Sequence, residues 1–217
     1  YKIHNFVETE YIIEKQRMIK DDEEISNIIK ACNITDDCFK YILSYIKPGM
    51  TEKQIAKEID DYYIERTDGT SFDTIVASGE NSSKPHAVPS NRKIQEHDII
   101  TIDMGCKVNG YCSDMTRTFF VGEPTEEMKR VYDLVLNNQE FALDQYKEGA
   151  STRQVTKMVE NDFKLNGYDL IHSLGHGVGL EIHEPPYVGI RNDTNLRENM
   201  VVTDEPGIYI PGKFGVR

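Results

Sequence analysis

The chain has 217 residues, of which 38% are hydrophobic and 29% charged, a balance that supports a packed core and excludes a disordered chain. Its formal net charge of −12 leaves no basic stripe, so nucleic acid is not expected as a partner. No apolar run approaches the roughly 20 residues of a membrane span, and the four cysteines, with no CxxC pair among them, read as reduced thiols of a cytoplasmic protein.

Tyr1 to Asn5 do not have the pattern of a signal peptide. Residues 21–46 are expected to form a long amphipathic helix. Asp21 to Glu24 put acids in its first turn, and Ile25, Ile29, Cys32, Phe39, Ile42 and Ile46 make an apolar stripe. Pro48-Gly49 stops it. Thr51 and Gln54 then form a capping box, which opens a second helix with Ile55, Ile59, Tyr62 and Tyr63 inward. Strands are expected at 74–78, 99–104 and 111–121. Between the first two lies a proline-bounded loop, Lys84-Pro85-His86-Ala87-Val88-Pro89, that holds one histidine.

Asn109-Gly110 is a strong two-residue hairpin turn. If these two residues form the turn, Val108 pairs with Tyr111, Asp103 opposes Thr116 and Gly105 opposes Asp114. Asp103 and Asp114 then share a face as diagonal neighbours, roughly 7–8 Å apart at the backbone. Two carboxylates that close either share a proton or bind cations. The apolar neighbours Ile100, Ile102, Met104, Met115, Phe119 and Phe120 argue against a wholly exposed hairpin. A disulfide between Cys106 and Cys112 across this turn is the lesser alternative to free thiols.

The second half repeats the first. Residues 126–146 are expected to be helical, with Met128, Val131, Val135, Phe141 and Tyr146 on one side, and Gly149 ends the helix. Ser151 and Gln154 form another capping box, followed by Val155, Met158, Val159 and Phe163. The junctions 49–55 and 149–155 align with an offset of 100 positions, which points to an internal duplication. Further strands are expected at 170–174, 201–203 and 207–210. Long helices alternating with short hairpins give an α+β fold with helices covering an antiparallel sheet.

Chemistry concentrates in this half as well. His176 sits among Gly175, Gly177 and Gly179, where backbone can approach closely. His172 lies four positions before it. His183 lies seven after it, before Glu184-Pro185-Pro186, where a turn is expected. Glu205-Pro206-Gly207 taken alone is a plain turn. Clustered imidazoles and carboxylates favour a metal or catalytic site. Oxygen donors with one imidazole suit Mn, Co, Fe or Zn, while the cysteine spacing excludes a four-cysteine zinc site.

These motifs resemble the pita-bread metallopeptidases: methionine aminopeptidases, Xaa-Pro aminopeptidases and Xaa-Pro dipeptidases. The resemblance runs from about residue 18 to the end. It is carried by Asp103 in Asp-Met-Gly, Asp114 in Ser-Asp-Met-Thr-Arg-Thr, the Gly-His-Gly segment at His176, and Glu205-Pro-Gly. The Xaa-Pro branch fits better, through Asn81-Ser-Ser-Lys-Pro-His86, Pro89-Ser-Asn-Arg92 and the run from His176 to Pro186. The resemblance implies a duplicated pita-bread fold on a curved antiparallel sheet, with residues 1–17 as the tail of an N-terminal domain and 18–217 as the catalytic domain, short of its C-terminal end.

By the same resemblance Asp103, Asp114, His176 and Glu205 match ligands of two divalent ions, Mn first and Co, Zn or Fe as alternatives. Glu205 also matches a general base. His86, His172 and His183 match substrate-contacting histidines, with His86 and His183 catalytic, and Arg217, which matches the arginine of a Gly-x-Arg-x-Glu strand, is counted with them as substrate-binding. That strand's glutamate, a fifth ligand bridging both metals, falls two positions beyond Arg217, so the sequence as it stands supplies four ligands. The implied activity is cleavage of peptides with proline at the second position, by a full-length protein that is a homodimer. The alternatives are a methionine aminopeptidase and a non-catalytic binding module on the same fold.

Overall fold

The computed structural model describes residues 7–217. The N-terminal pentapeptide lies outside them, and the remainder of the 1–17 segment carries a short helix, α1 (Ile12–Arg17). Two helix pairs follow, α2 (Asp22–Tyr45) with α3 (Glu52–Ile64), and α4 (Glu126–Gln145) with α5 (Thr152–Leu165). Each start is capped as its sequence demands. Asp21 and Glu24 exchange side-chain and backbone bonds at the head of α2, and Thr51 and Gln54 do the same for α3. Thr125 and Ser151 cap α4 and α5. At Ser151 the hydroxyl accepts from the Gln154 backbone N–H at 3.1 Å and donates to Asp193 at 2.6 Å, without the expected return bond from the Ser151 N–H to the Gln154 side chain.

Between the pairs run β1 (Ile75–Ser78), a 3-10 turn (Gly79–Ser83), β2 (Ile99–Met104), β3 (Lys107–Val108), β4 (Tyr111–Cys112) and β5 (Met115–Phe120). After α5 come β6 (Gly175–Gly177), β7 (Glu184–Val188), β8 (Ile208–Ile210) and β9 (Phe214–Val216). Antiparallel pairing joins β1, β2 and β5 in a three-stranded sheet, with β3–β4, β6–β7 and β8–β9 as ribbons. Val108 pairs with Tyr111 and Asp103 with Thr116, so one register runs through the whole hairpin as the turn residues require. Asn109 and Gly110 both take positive φ, at 51° and 82°.

The two halves are built alike. Buried Ala31, Thr35, Ile42, Ile55, Ile59 and Tyr63 have buried counterparts Val131, Val135, Ala142, Val155, Val159 and Phe163. Gly49 donates to the Ile94 carbonyl and Gly149 to the Leu196 carbonyl, each at 2.8 Å. Each half gathers its own apolar cluster between helices and strands, and each fully buried isoleucine or phenylalanine there contributes roughly 1.5–3 kcal/mol.

Several expectations need correction. The buried face of α2 runs through Ile28, Ala31, Thr35, Cys38 and Ile42, while Ile29 is 52% exposed and Cys32 is exposed. Ile42 is buried as expected, and Phe39 and Ile46 pack against the core, but small and polar residues share that face, so hydrophobicity misplaced Ile29 and Cys32. Phe141 and Met158 are likewise exposed. Residues 170–174 form no strand, and 201–203 contribute only the isolated bridge from Val202 to Gly177. Glu184-Pro185-Pro186 opens strand β7 instead of turning. β7 pairs with β6 alone, and an edge position tolerates proline's missing donor. All four cysteines are free, Cys106 and Cys112 included.

Candidate metal centre

The hairpin register brings Asp103 of β2 and Asp114, just ahead of β5, to one side of the sheet. The second half presents His176 of β6 and Glu205 to the same place. Gly175 and Gly177 make this approach possible. A Cβ on Gly175 would lie 2.1 Å from the Thr203 carbonyl oxygen, and one on Gly177 would lie 2.4 Å from that of Pro185. The glycines therefore serve the packing of backbone on backbone around His176.

His176 Nε2 stands 3.3 Å from Asp114 Oδ2 and 3.1 Å from Glu205 Oε1. Its Nδ1 donates to the Gly177 carbonyl at 3.0 Å, which fixes the ring and aims Nε2 at the carboxylates. Thr203 holds both partners: its hydroxyl accepts from the His176 backbone N–H and donates to Glu205 Oε1, each at 2.9 Å. Arg217 closes the other side. It is ion-paired with Asp103, and it donates to Thr116 Oγ1 at 3.0 Å and to the Pro85 carbonyl at 3.1 Å, one residue from His86.

Burial pushes the Asp103 carboxyl up, Arg217 pulls it back, and Asp114 and Glu205 push it up again, to about 7. Asp103 Oδ1 is buried with no hydrogen-bond partner. Burial opposes charge on His176, but its bonds to Asp114 and Glu205 prevail and raise it to about 10. Burial alone would raise Glu205 too, yet His176 and Arg217 hold it below the ordinary carboxylate value. The site thus crowds three carboxylates together and offsets them with one imidazolium and one guanidinium. Among the described residues no group of three or more His, Cys, Asp or Glu side chains is arranged to hold an ion as it stands. The donors are engaged with one another instead. Their chemistry nevertheless fits divalent cations, with three carboxylates, one imidazole presenting Nε2, and an orphaned carboxylate oxygen.

A cavity of about 350 Å³ opens onto these groups. Asp103, Asp114, His176, Glu205 and Arg217 line it together with His86 and His183. Its remaining wall is largely apolar, with Phe72, Ile75, Ala87, Val88, Pro89 and Ile182. The His183 and His176 rings meet edge to face with centroids 4.3 Å apart. Burial first, and then His176, depress the pKa of His183. His172 does not line this cavity. Its Nδ1 donates to the Ser173 carbonyl at 2.7 Å and its Nε2 pairs with the Tyr209 hydroxyl at 2.9 Å. That hydroxyl accepts from Arg217 at 3.4 Å, so His172 reaches the site through two intermediaries.

Residues that the motifs did not single out support these groups. Glu52 is fully buried and accepts from the backbone and hydroxyl of both Ser78 and Ser90, pinning the two ends of the loop that carries His86. Its helix-start position is visible in sequence, but partners 26 and 38 residues away are not. Tyr209 is another such residue, linking His172 to Arg217.

A family model for metallopeptidase family M24 matches residues 26–217. The chain is 40% identical over 220 residues to the Xaa-Pro dipeptidase of Pyrococcus furiosus, covering 99% of this chain and 63% of that protein. It is 42% identical to an uncharacterized peptidase, YqhT, of Bacillus subtilis, covering 94% of this chain and 59% of that protein. Among solved structures it is similar to an X-Pro aminopeptidase from Thermotoga maritima, with TM-score 0.91, 42% identity, and 94% of this chain against 59% of that one. The chain thus spans about three fifths of the length of the curated relatives it matches, and it shares their α+β pita-bread fold.

Proposed function

Since the chain belongs to metallopeptidase family M24, we propose that the protein hydrolyses the bond between an N-terminal residue and a following proline, as a metallo-exopeptidase. The observation that carries this reading is the convergence of Asp103, Asp114, His86, His176, His183 and Glu205 on one apolar-walled cavity. A binding module would have no need to keep all of these groups.

Membership of the family implies divalent metal ions. In this reading Asp103, Asp114, His176 and Glu205 hold them, with Mn first and Co, Zn or Fe as alternatives. When bound, the metals would acidify the attacking water and polarise the scissile carbonyl. Glu205, held ionised by His176 and Arg217, takes the proton of the attacking water and passes it to the leaving proline nitrogen. His183, whose burial favours the neutral ring, and His86 donate hydrogen bonds to the developing oxyanion and to the leaving proline nitrogen. Arg217 opposes the rise that burial imposes on the Asp103 carboxyl and anchors the His86 loop through the Pro85 carbonyl. The apolar wall excludes water and accommodates the proline ring. His172 supports substrate contacts indirectly, through Tyr209 and Arg217.

Free cysteines agree with a cytoplasmic location, and among the described residues no helix is long and apolar enough to cross a membrane. A homodimer of the full-length protein, with no nucleic-acid or membrane partner, completes the reading and is open to light scattering. The decisive test is metal content and hydrolysis of Xaa-Pro dipeptides and longer Xaa-Pro peptides by the full-length protein, beside Met-Ala peptides. Loss of both metal and hydrolysis is expected for the Asp103→Ala, Asp114→Ala double variant. Full activity of that variant would sink the assignment, and cleavage of Met-Ala but not Xaa-Pro would select a methionine aminopeptidase.

A further inference from the structure

We propose that Arg17 and Lys20 are positioning residues that set His183 in the site by clamping its chain neighbour, Glu184. The proposal rests on the peptidase reading for the consequence of that placement, and on the following geometry for its cause. The Glu184 carboxylate is 3% exposed. Lys20 Nζ donates to its Oε1 at 2.8 Å, and Arg17 Nη2 donates to its Oε2 at 2.6 Å. Lys20 is itself only 2% exposed, and its backbone N–H is spent on the Asn199 carbonyl at 3.0 Å.

The loop from Gly177 to Glu184 is wrapped around this one anion. The backbone N–H of Glu181 donates to Glu184 Oε2 at 3.3 Å. A Cβ at Gly179 would lie 2.5 Å from Glu184 Oε1, so the loop is bare backbone where the carboxylate lies. Gly179 is tied in turn to the Glu181 carbonyl at 3.1 Å, and its own carbonyl accepts from Cys112 at 2.8 Å. A buried carboxylate stays in place only while its cations are present. His183 ends the bend that leads into β7 at Glu184, so the two side chains share one short, turned stretch of backbone. Glu184 faces the α1 segment, and His183 faces the cavity with its ring against His176. Releasing Glu184 therefore releases His183.

Arg17 and Lys20 also lie ahead of residue 26, where the match to the family model begins. A segment outside the matched region thus governs one wall of the site.

The test uses the full-length protein and two readouts. The first does not depend on turnover. In chelator-treated protein with labelled histidine, the His183 imidazole resonance is assigned by its loss in His183→Ala. Arg17→Ala and Lys20→Met should shift or broaden it while the His86 resonance stays in place. The second is kinetic. Arg17→Ala should lower kcat for an Xaa-Pro dipeptide about tenfold or more, with KM and metal content little changed, and Arg17→Lys should recover most of the loss. In a His183→Ala background Arg17→Ala should cost no more kcat. Arg17 is partly exposed, with 25% of its side chain accessible, so its variant stays informative even if Lys20→Met does not fold. An unmoved His183 resonance in Arg17→Ala overturns the proposal, as does an equal loss of kcat with and without His183. Absence of Xaa-Pro hydrolysis in the unmodified protein defeats the peptidase reading instead, and the resonance still decides the clamp.

Discussion

Glu52 has no accessible surface and no part in the chemistry, yet the loop bearing His86 depends on it. Burial alone would raise its pKa, but the bonds from Ser78 and Ser90 prevail and hold it below the ordinary 4.5. A carboxylate whose folded pKa is depressed contributes stability that is fully present above its unfolded pKa. That contribution is lost as pH falls through the folded value. Glu52→Gln keeps the shape and turns an amide donor towards serine donors. It should cost about 2–4 kcal/mol at neutral pH, with the gap to the unmodified protein closing as pH falls below 4.5. Urea unfolding across that range checks it, and a gap that stays constant would show that the charge contributes nothing. The sequence displays Glu52 only as a residue in a helix's first turn. What makes it structural is the pairing of distant segments, which no local pattern encodes.

At the scale of elements, helix starts and the β2–β5 hairpin were legible because their signals are local: caps, a 3.6-residue period and an Asn-Gly turn. β6 and β7 were not, since three glycine-rich residues and a strand opening on Glu-Pro-Pro have no strand signature. Their backbones are held by the partners they meet in space. This makes Gly175 more than a flexible link. Gly175→Ala would drive a Cβ to 2.1 Å from the Thr203 carbonyl oxygen and part β6 from the segment that bears Glu205. We expect a loss of about 1–3 kcal/mol in stability and a fall in metal affinity of roughly 10–100-fold, by calorimetric metal titration. Gly149→Ala is the matched control. Its Cβ would meet nothing within 4 Å, though φ is +85°. It should cost about 1 kcal/mol and leave metal affinity intact. Equal metal binding by both variants would contradict this account of β6.

The molecule as a whole is two similar halves that each supply part of one site. Asp103 and Asp114 come from the first half, and His176 and Glu205 from the second. The first pair could be placed on one face by counting register from the turn at Asn109-Gly110. The meeting of His176 with Asp114 could not, because it depends on how the duplicated halves face each other; only the resemblance to a family supplied it. A site shared in this way couples metal binding to the joining of the halves. With metal gone, Asp103, Asp114 and Glu205 are left to His176 and Arg217 for compensation. Metal binding to the folded state alone stabilises it by about 2.7 kcal/mol at a hundredfold excess over Kd. At roughly 2–4 °C per kcal/mol for a domain of this size, chelation should lower the melting temperature of the full-length protein by about 5–10 °C. Adding Mn should restore it. In Asp114→Ala, which removes a donor of the first half, the melting temperature should no longer respond to chelator or Mn. A response as large as that of the unmodified protein would mean that the stabilising ion sits elsewhere and does not bridge the halves at Asp114.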